Sequence, residues 1–505
     1  MITTTKGSLK RTCFLFYGFI LFISITVCAQ NCPPDPAGNR SHYFYDDWVK
    51  ANEVLNLTGK ETIVDSNTLN NRIDQESNSG GGTLYIKSKA ATNVIYLRDI
   101  YLRDNVSLKF DKSVIIKPLL PGSDPKITIF TMGKTINEKV RNVQITSNGG
   151  RFTVDFRDVA VNRRIAFIKL RSVKNFYVGN FNLSDNNTTF CNVELLFTQT
   201  EAEDRVNGEN IPYRGIVENI RSTKNHSGYG IIQVRGGKRI FFNNLNSGGG
   251  ITLRLESGIP GGIKSKRATI DEVVGRKIRV FNGSSALFLN PHRIDQGCID
   301  VRNIIAVNSG FAANIVAGFV DRKGGEGSAE NNAGVFSPDS HVSGLTASGN
   351  KKKAQLRKKL AELLPCNQAQ DLINRFENNK LNPDEESALG FPIGKLRYTA
   401  NCNGPGCYTV KGLRGVSPVS VKCNTLGKNR LPIDSSKEKV SIIYNTNDKI
   451  ITISNANGIA KIYNLSGVAV ISTKEATIST VNLTSGLYII KVENNNAVTT
   501  KKIIL

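Results

Sequence analysis

The chain has 505 residues, of which 39% are hydrophobic and 21% charged; this is enough apolar material for a large core and excludes a globally disordered chain. Its 45 glycines, frequent asparagines and few long helical patterns suit a turn-rich, β-dominated fold. A formal charge of +24 attracts polyanions, whether nucleic acid, anionic lipid or an acidic polysaccharide.

Residues 1–29 read as a signal peptide, with Lys10 and Arg11 at the positive end, an apolar stretch from Phe14 to Val27, and a cleavage point around Cys28-Ala29-Gln30. Lys6, Lys10 and Arg11 supply three of the positive charges and the leader has no acids, so the chain after cleavage is near +21, three below +24. No later apolar run reaches the roughly 20 residues of a membrane span. The expected product is a soluble, exported protein, secreted or held at the cell surface, without stable membrane insertion and acting as a monomer. Export makes nucleic acid an unsuitable partner. Seven cysteines follow the leader: Cys32, Cys191, Cys298, Cys366, Cys402, Cys407 and Cys423. An oxidising compartment permits disulfides, and the odd count leaves one thiol over. Cys402 and Cys407 read as a stapled loop; a zinc site is the weaker reading, because no histidine lies nearby.

A capping pattern opens the region after the leader, with Ser66 as the expected cap of a short amphipathic segment carrying Leu69 and Ile73 at helical spacing. Gly80-Gly81-Gly82 and an apolar strand follow, as expected where a helix closes the open end of a solenoid. Short strands then come in quick succession: Val94 to Leu97, Val106 to Phe110, Val114 to Ile116, Val143 to Ile145, Ile165 to Leu170, Ile231 to Val234, Ile251 to Leu255, Leu287 to Leu289 and Ala313 to Val316. Their spacing predicts an all-β, right-handed parallel β-helix with coils of roughly 20 to 30 residues. An antiparallel sandwich is the alternative. Between about 350 and 385 the pattern turns helical: Leu356, Leu360, Leu363 and Leu364 up to Pro365, then Leu372, Ile373 and Phe376. This predicts a small, basic helical insertion within a β-helix domain of residues 30–436.

From residue 437 to 505 the strands alternate: Val440 to Tyr444, Ile450 to Ile453, Ala460 to Tyr463 and Tyr488 to Val492. This segment predicts a small β-sandwich-like domain. Its three motif pieces, Lys461-Ile462-Tyr463-Asn464-Leu465-Ser466-Gly467, Leu483-Thr484-Ser485-Gly486-Leu487-Tyr488 and the Lys501-Lys502-Ile503-Ile504-Leu505 end, resemble the C-terminal sorting domain of the type IX secretion system. The resemblance implies the type IX secretion machinery as a partner.

Alternate side chains of a strand share a face. Tyr229, Gln233 and Arg235 share one phase. Arg254 and Glu256 lie opposite Leu253 and Leu255; Phe288, Asn290 and His292 lie opposite Leu287 and Leu289. If these strands occupy neighbouring coils, about 4.8 Å apart, Gln233, Glu256 and His292 form one polar row flanked by Arg235, Arg254 and Arg293. Alone, Glu256 among arginines reads as a surface ion pair, and His292 as a structural histidine.

Taken together, Tyr-Gly-Ile-Ile-Gln-Val at 229–234, Leu-Arg-Leu-Glu at 253–256 and Asn-Pro-His at 290–292 resemble the iota-carrageenase family of glycoside hydrolases over roughly residues 40 to 345. The resemblance implies a secreted endo-hydrolase that cleaves the β-1,4 galactosidic bonds of iota-carrageenan, a sulfated galactan, with inversion. It implies Glu256 as general acid, with Gln233 and His292 placing water and substrate. Arg235, Arg254 and Arg293 would meet sulfate and Tyr229 would stack on sugar. No cofactor is required by this chemistry, although the family resemblance allows a structural calcium. The family places an aspartate base two residues after the acid; here that position is Gly258. Asp321 is the first candidate to replace it, with Glu326 and Asp295 behind. The departure also leaves open a catalytically weak or inactive galactan-binding relative. A β-helix polysaccharide lyase is a further alternative, against which the Gln, Glu and His spacing argues.

Overall fold

The computed structural model describes residues 36–48, 52–120, 126–134, 138–198, 211–257, 269–291, 294–316, 318, 334–337, 339–378, 387–399, 441–445, 449–454, 458–494 and 497–505. The leader, the Cys402–Cys407 loop, Gly258, His292, Arg293, Asp321 and Glu326 lie outside them. The chain divides into two compact units, Met1–Lys422 and Cys423–Leu505.

The first unit is a parallel β-helix, built from one 20-stranded sheet in which every strand pairing is parallel. Every predicted strand before residue 320 falls on an observed one. Two strands are much longer than expected, Tyr213–Val234 and Gly237–Glu256. Their shared register shifts around Asn225, so each runs along two successive faces of the coil. The ladder that matters for function comprises β1 (Arg164–Leu170), β2 (Val193–Leu195), the end of β3 (Tyr213–Val234), the end of β4 (Gly237–Glu256), β5 (Ser285–Asn290), β6 (Phe311–Val316) and β7 (Gly394–Thr399).

Alternation decides what each face presents. Leu253, Leu255, Leu287, Leu289, Ala313 and Ile315 point inward and are fully buried; each large side chain contributes about 1.5–3 kcal/mol. In the earlier coils Phe110, Phe130, Phe152, Phe167 and Phe181 stack along the axis, with ring centroids 4.9 to 6.2 Å apart. The asparagines have a structural task. Asn180, Asn219 and Asn244 all adopt left-handed backbone (φ 60°, 58° and 51°), which asparagine tolerates better than most residues. Their amides bond one another from coil to coil, Asn219 Nδ2 to Asn180 Oδ1 at 3.1 Å and Asn244 Nδ2 to Asn219 Oδ1 at 2.8 Å.

Helix α1 (Val64–Asn78) buries Leu69 and Ile73 at the start of the solenoid, as expected. Ser66, however, is not its cap. It lies inside the first turn, and its Oγ accepts the amide of Arg98. The buried Asp65 satisfies the entry instead, accepting from Thr58 N, Thr58 Oγ1 and Gly59 N at 2.7 to 2.9 Å.

The insertion interrupts the ladder between β6 and β7. Its first half is not the expected helix. Leu356 ends a short strand, Ala354–Leu356, paired antiparallel with Ala388–Gly390, and only a 3-10 turn, Lys358–Leu363, follows. The leucine spacing reflects burial of Leu356, Leu360, Leu363 and Leu364 in one small core. Past Pro365 the expected second helix, α2 (Cys366–Asn378), packs on it through Leu372 and Ile373. The insertion docks on turns of the β-helix. Gln355 Oε1 accepts the amide of Gly250 at 2.6 Å, and Gln355 N donates to Gly283 O. Gly250 has φ 63°, and a Cβ there would lie 2.3 Å from Tyr229 O, so only glycine fits this docking point.

Cys298 and Cys366 are each part of a disulfide, and Cys191 is a buried free thiol. In the second unit, two antiparallel sheets of three and four strands close over Ile442, Ile451, Ile462 and Ile490. All four strands expected there are present. Among the described residues no helix is long and apolar enough to cross a membrane.

Candidate active site

The outward face of the long ladder carries the polar residues. One row runs Lys169, Glu194, Gln233, Arg254, Phe288, Asn314, Arg397, each the register partner of the next. Gln233 is therefore opposite Arg254, while Glu256, two residues further along β4, is opposite Asn290. Gln233 and Glu256 do not share a row as expected; they meet diagonally. Gln233 Nε2 donates to Glu256 Oε2 at 3.1 Å, and Arg235 Nη2 donates to Gln233 Oε1 at 3.3 Å.

Arg254 grips the same carboxylate. Its Nη2 donates to Oε1 at 3.0 Å, and its Nε lies 2.5 Å from Oε2, off the hydrogen-bond axis but within ion-pair distance. Its Nη1 donates to Gly228 O, and its guanidinium lies 5.9 and 5.5 Å from the ring centres of Tyr229 and Phe288. Burial alone would lower the Arg254 pKa; the carboxylate of Glu256 outweighs it and the pKa is raised. The Glu256 side chain is 6% exposed. It sits on the outward face, since its neighbour Leu255 enters the core.

The chain beyond Glu256 is pinned in place. Ser257 Oγ donates to Pro291 O or Ile294 O at 3.1 and 3.0 Å. Both residues flank position 292, so the sequence neighbours of His292 are anchored directly after Glu256. Asp295 is exposed and its Oδ1 accepts the amide of Val335, so it serves the local loop.

Three residues that the sequence reading did not single out join this face. Glu194 is buried, lies 3.7 Å from Lys169 Nζ, and its Oε1 has no hydrogen-bond partner among the described residues. Burial pushes its carboxyl up and the Lys169 ammonium down, so burial outweighs the attraction within the pair. Arg171, the residue after the end of β1, with its pKa lowered by burial, adds a further cation. The alternation of Val193-Glu194-Leu195 was available as a signal, but a three-residue strand is too short to stand out.

The chain is 32% identical over 271 residues to an iota-carrageenase of Zobellia galactanivorans, covering 53% of this chain and 52% of that protein. It is 33% identical over 264 residues to an iota-carrageenase of Alteromonas macleodii, covering 52% and 51%. The chain is similar to these iota-carrageenases over about half its length. It spans about half the length of these curated relatives. The β-helix fold is shared with a solved 1,3-α-1,4-β-D-galactose-4-sulfate-3,6-anhydro-D-galactose-2-sulfate 4-galactohydrolase, with TM-score 0.62 and 24% identity over 76% of this chain and 93% of that one. An iota-carrageenase complexed to iota-carrageenan fragments gives TM-score 0.62 at 23% identity, with the same coverage. Residues 435–505 match the secretion system C-terminal sorting domain. Among the described residues no cluster of three or more His, Cys, Asp or Glu could hold a metal ion, so no calcium ligands are assigned.

Proposed function

We propose that the protein is an exported endo-hydrolase of iota-carrageenan, cleaving β-1,4 galactosidic bonds with inversion. The observation that carries this reading is the convergence of Gln233, Arg254 and Glu256 from successive coils on one outward, cation-rich face. Glycoside hydrolysis passes through an oxocarbenium-like state and needs an acid at the leaving oxygen and a base for water. Glu256 supplies the acid. Gln233, bonded to it, presents an amide that orients water or a sugar hydroxyl beside the scissile bond. His292, whose flanking residues are held by Ser257, completes this arrangement in the proposal. Arg235, Arg254 and Arg293 meet sulfate groups, and Tyr229 offers a ring face to sugar.

Two carboxylates can take the part of the base in the absence of an aspartate at position 258. Asp321 is the first assignment. Glu194 is favoured by a separate observation: it is one rung from Gln233, and its Oε1 has no hydrogen-bond partner among the described residues. Asp321→Asn and Glu194→Gln separate them, since only loss of the true base abolishes turnover while leaving polysaccharide binding intact.

The second reading, a galactan-binding relative without turnover, is favoured by Gly258 alone. Incubating the protein with iota-, kappa- and lambda-carrageenan and measuring reducing ends decides between them. Hydrolysis predicts ends released from iota-carrageenan; salt-sensitive binding with no new ends supports the binder. The sorting domain supports export by the type IX machinery, and removal of residues 435–505 is expected to hold the protein inside the cell.

A further inference from the structure

The long strands that carry the active face also run along a second face of the coil, and a cavity lies there. Gln144, Tyr177 and Ile216 are register partners on three successive rungs, from strands Val140–Asn148 and Val173–Ser184 and the first half of β3. Gln233 lies near the far end of β3, beyond the register shift around Asn225, so the two rows occupy different faces. Residues 36–48 pass over the row of Gln144. Tyr43 is buried against Ile216, Phe241 and Val274, and the backbone of Tyr45 exchanges two hydrogen bonds with the side-chain amide of Asn175, at 2.9 and 3.1 Å. Between this segment and the sheet is a cavity of about 460 Å³, within the range of about 300–1,000 Å³ typical of ligand sites.

The lining is rich in hydroxyl, amide and aromatic groups, and its charges balance. Arg40 borders the cavity but is committed elsewhere, since its Nη1 and Nη2 donate to Glu218 at 3.2 and 2.5 Å. Lys109 and Asp46 add one charge of each sign, which gives the lining no net charge to select an anion. Tyr177 holds its ring fixed, because its hydroxyl donates to Glu218 Oε1 at 3.0 Å and accepts from Asn180 Nδ2 at 3.1 Å. The ring of Phe44 stands 5.6 Å from it, centre to centre. Gln144 is the informative residue. It is 6% exposed and lines the cavity, yet its side-chain amide makes no hydrogen bond among the described residues. The fold thus leaves unused two N–H donors and a carbonyl acceptor, the complement of sugar hydroxyls, which both donate and accept. Asn148 supplies a second amide, exposed to solvent.

We propose that this cavity is a second saccharide site, which holds a pyranose residue of a galactan through its hydroxyl groups. Gln144 and Asn148 supply the hydrogen bonds, and Phe44 and Tyr177 the ring contacts. The galactan class rests on the hydrolase reading; the hydroxyl chemistry rests on this lining alone. A site on a face away from Glu256 holds the polymer without occupying the catalytic row, and so raises the effective concentration of chain near it.

Affinity electrophoresis of the whole protein through polyacrylamide containing soluble agarose, a neutral galactan, or iota-carrageenan tests the proposal without requiring turnover. Gln144→Leu keeps the bulk of the side chain and removes its hydrogen-bonding groups. It should leave the melting temperature unchanged or higher while weakening retardation about tenfold in agarose, and about threefold in iota-carrageenan, where the active face also binds. Asn148→Ala, at an exposed position, should act in the same direction and keeps the test alive if Gln144→Leu does not fold. A loss in agarose assigns the site to uncharged galactan; a loss confined to iota-carrageenan assigns it to the hydroxyls of the sulfated chain, and either supports the site. A wild type that neither gel retards, or retardation unchanged by both variants, would overturn it. On iota-carrageenan fragments too short to reach both faces, kcat/KM should change less than about twofold in either variant. Retardation that depends on Gln144 in a protein releasing no reducing ends would retain the second site and refute the hydrolase reading. Reducing ends together with retardation indifferent to both variants would do the reverse.

Discussion

The pair of Arg254 and Glu256 is open to direct thermodynamic test. The two side chains are 17% and 6% exposed, in contact through Nη2–Oε1 at 3.0 Å and Nε–Oε2 at 2.5 Å. Arg254→Met keeps much of the arginine's length and its packing on Tyr229 and Phe288 but removes the charge. It removes the charged partner Arg254 from a nearly buried carboxylate that Gln233 also contacts. Breaking a buried pair by removing one partner typically costs about 3–5 kcal/mol, because the survivor is uncompensated. Glu256→Gln strands Arg254 in the same way, whereas Arg254→Met with Glu256→Gln removes both charges. The double variant should therefore be more stable than the sum of the singles implies, with a coupling of at least about 2 kcal/mol. Guanidinium unfolding followed by circular dichroism at pH 7, on all four proteins, measures it. Additive single effects, or an Arg254→Met loss below about 1 kcal/mol, would refute the claim that the pair is desolvated and mutually dependent.

Other residues give independent checks. Asp185 is buried, and burial raises its carboxyl from an ordinary 3.8 to about 6. Its stabilising contribution is thus full below about pH 4 and is lost as pH rises through about 6, a change of roughly 3 kcal/mol. Asn186 N, Thr188 N and Thr188 Oγ1 all donate to its Oδ1, an oxygen that asparagine retains. Asp185→Asn should flatten the melting temperature between pH 4 and 7 and raise it at pH 8; an unchanged pH dependence would contradict this. Asn219→Ala loses two amide bonds, each worth about 1 kcal/mol, and sets alanine in left-handed backbone at about 1–2 kcal/mol more. Urea unfolding should show a loss of about 3 kcal/mol, and Asn219→Gly roughly half of it, since glycine tolerates φ 58°.

Much of this was legible because a solenoid repeats a local rule. Leucines at 253, 255, 287 and 289 alternate with Arg254, Glu256, Phe288 and Asn290, and period two fixes which face each occupies. Periodicity does not give register, however. The pairing of Gln233 with Arg254 follows from how many residues each turn takes, and that depends on the irregularity near Asn225. The expected single row was therefore displaced by two residues, although the long side chains still meet diagonally. The insertion misled for a related reason. Leu356, Leu360 and Leu363 bury one face whether the backbone is strand, 3-10 or α, so their spacing carries burial and not helix type. Glu194 stayed hidden in a strand of three residues.

The account stands most directly on Glu256. Reducing-end release from iota-carrageenan by the wild-type protein and by Glu256→Gln, with folding of both verified by circular dichroism, measures its role. The account predicts turnover by the wild type and a fall of about 10²–10⁴-fold on replacing the acid, with retained binding to the polymer. Equal rates in the two proteins would contradict it.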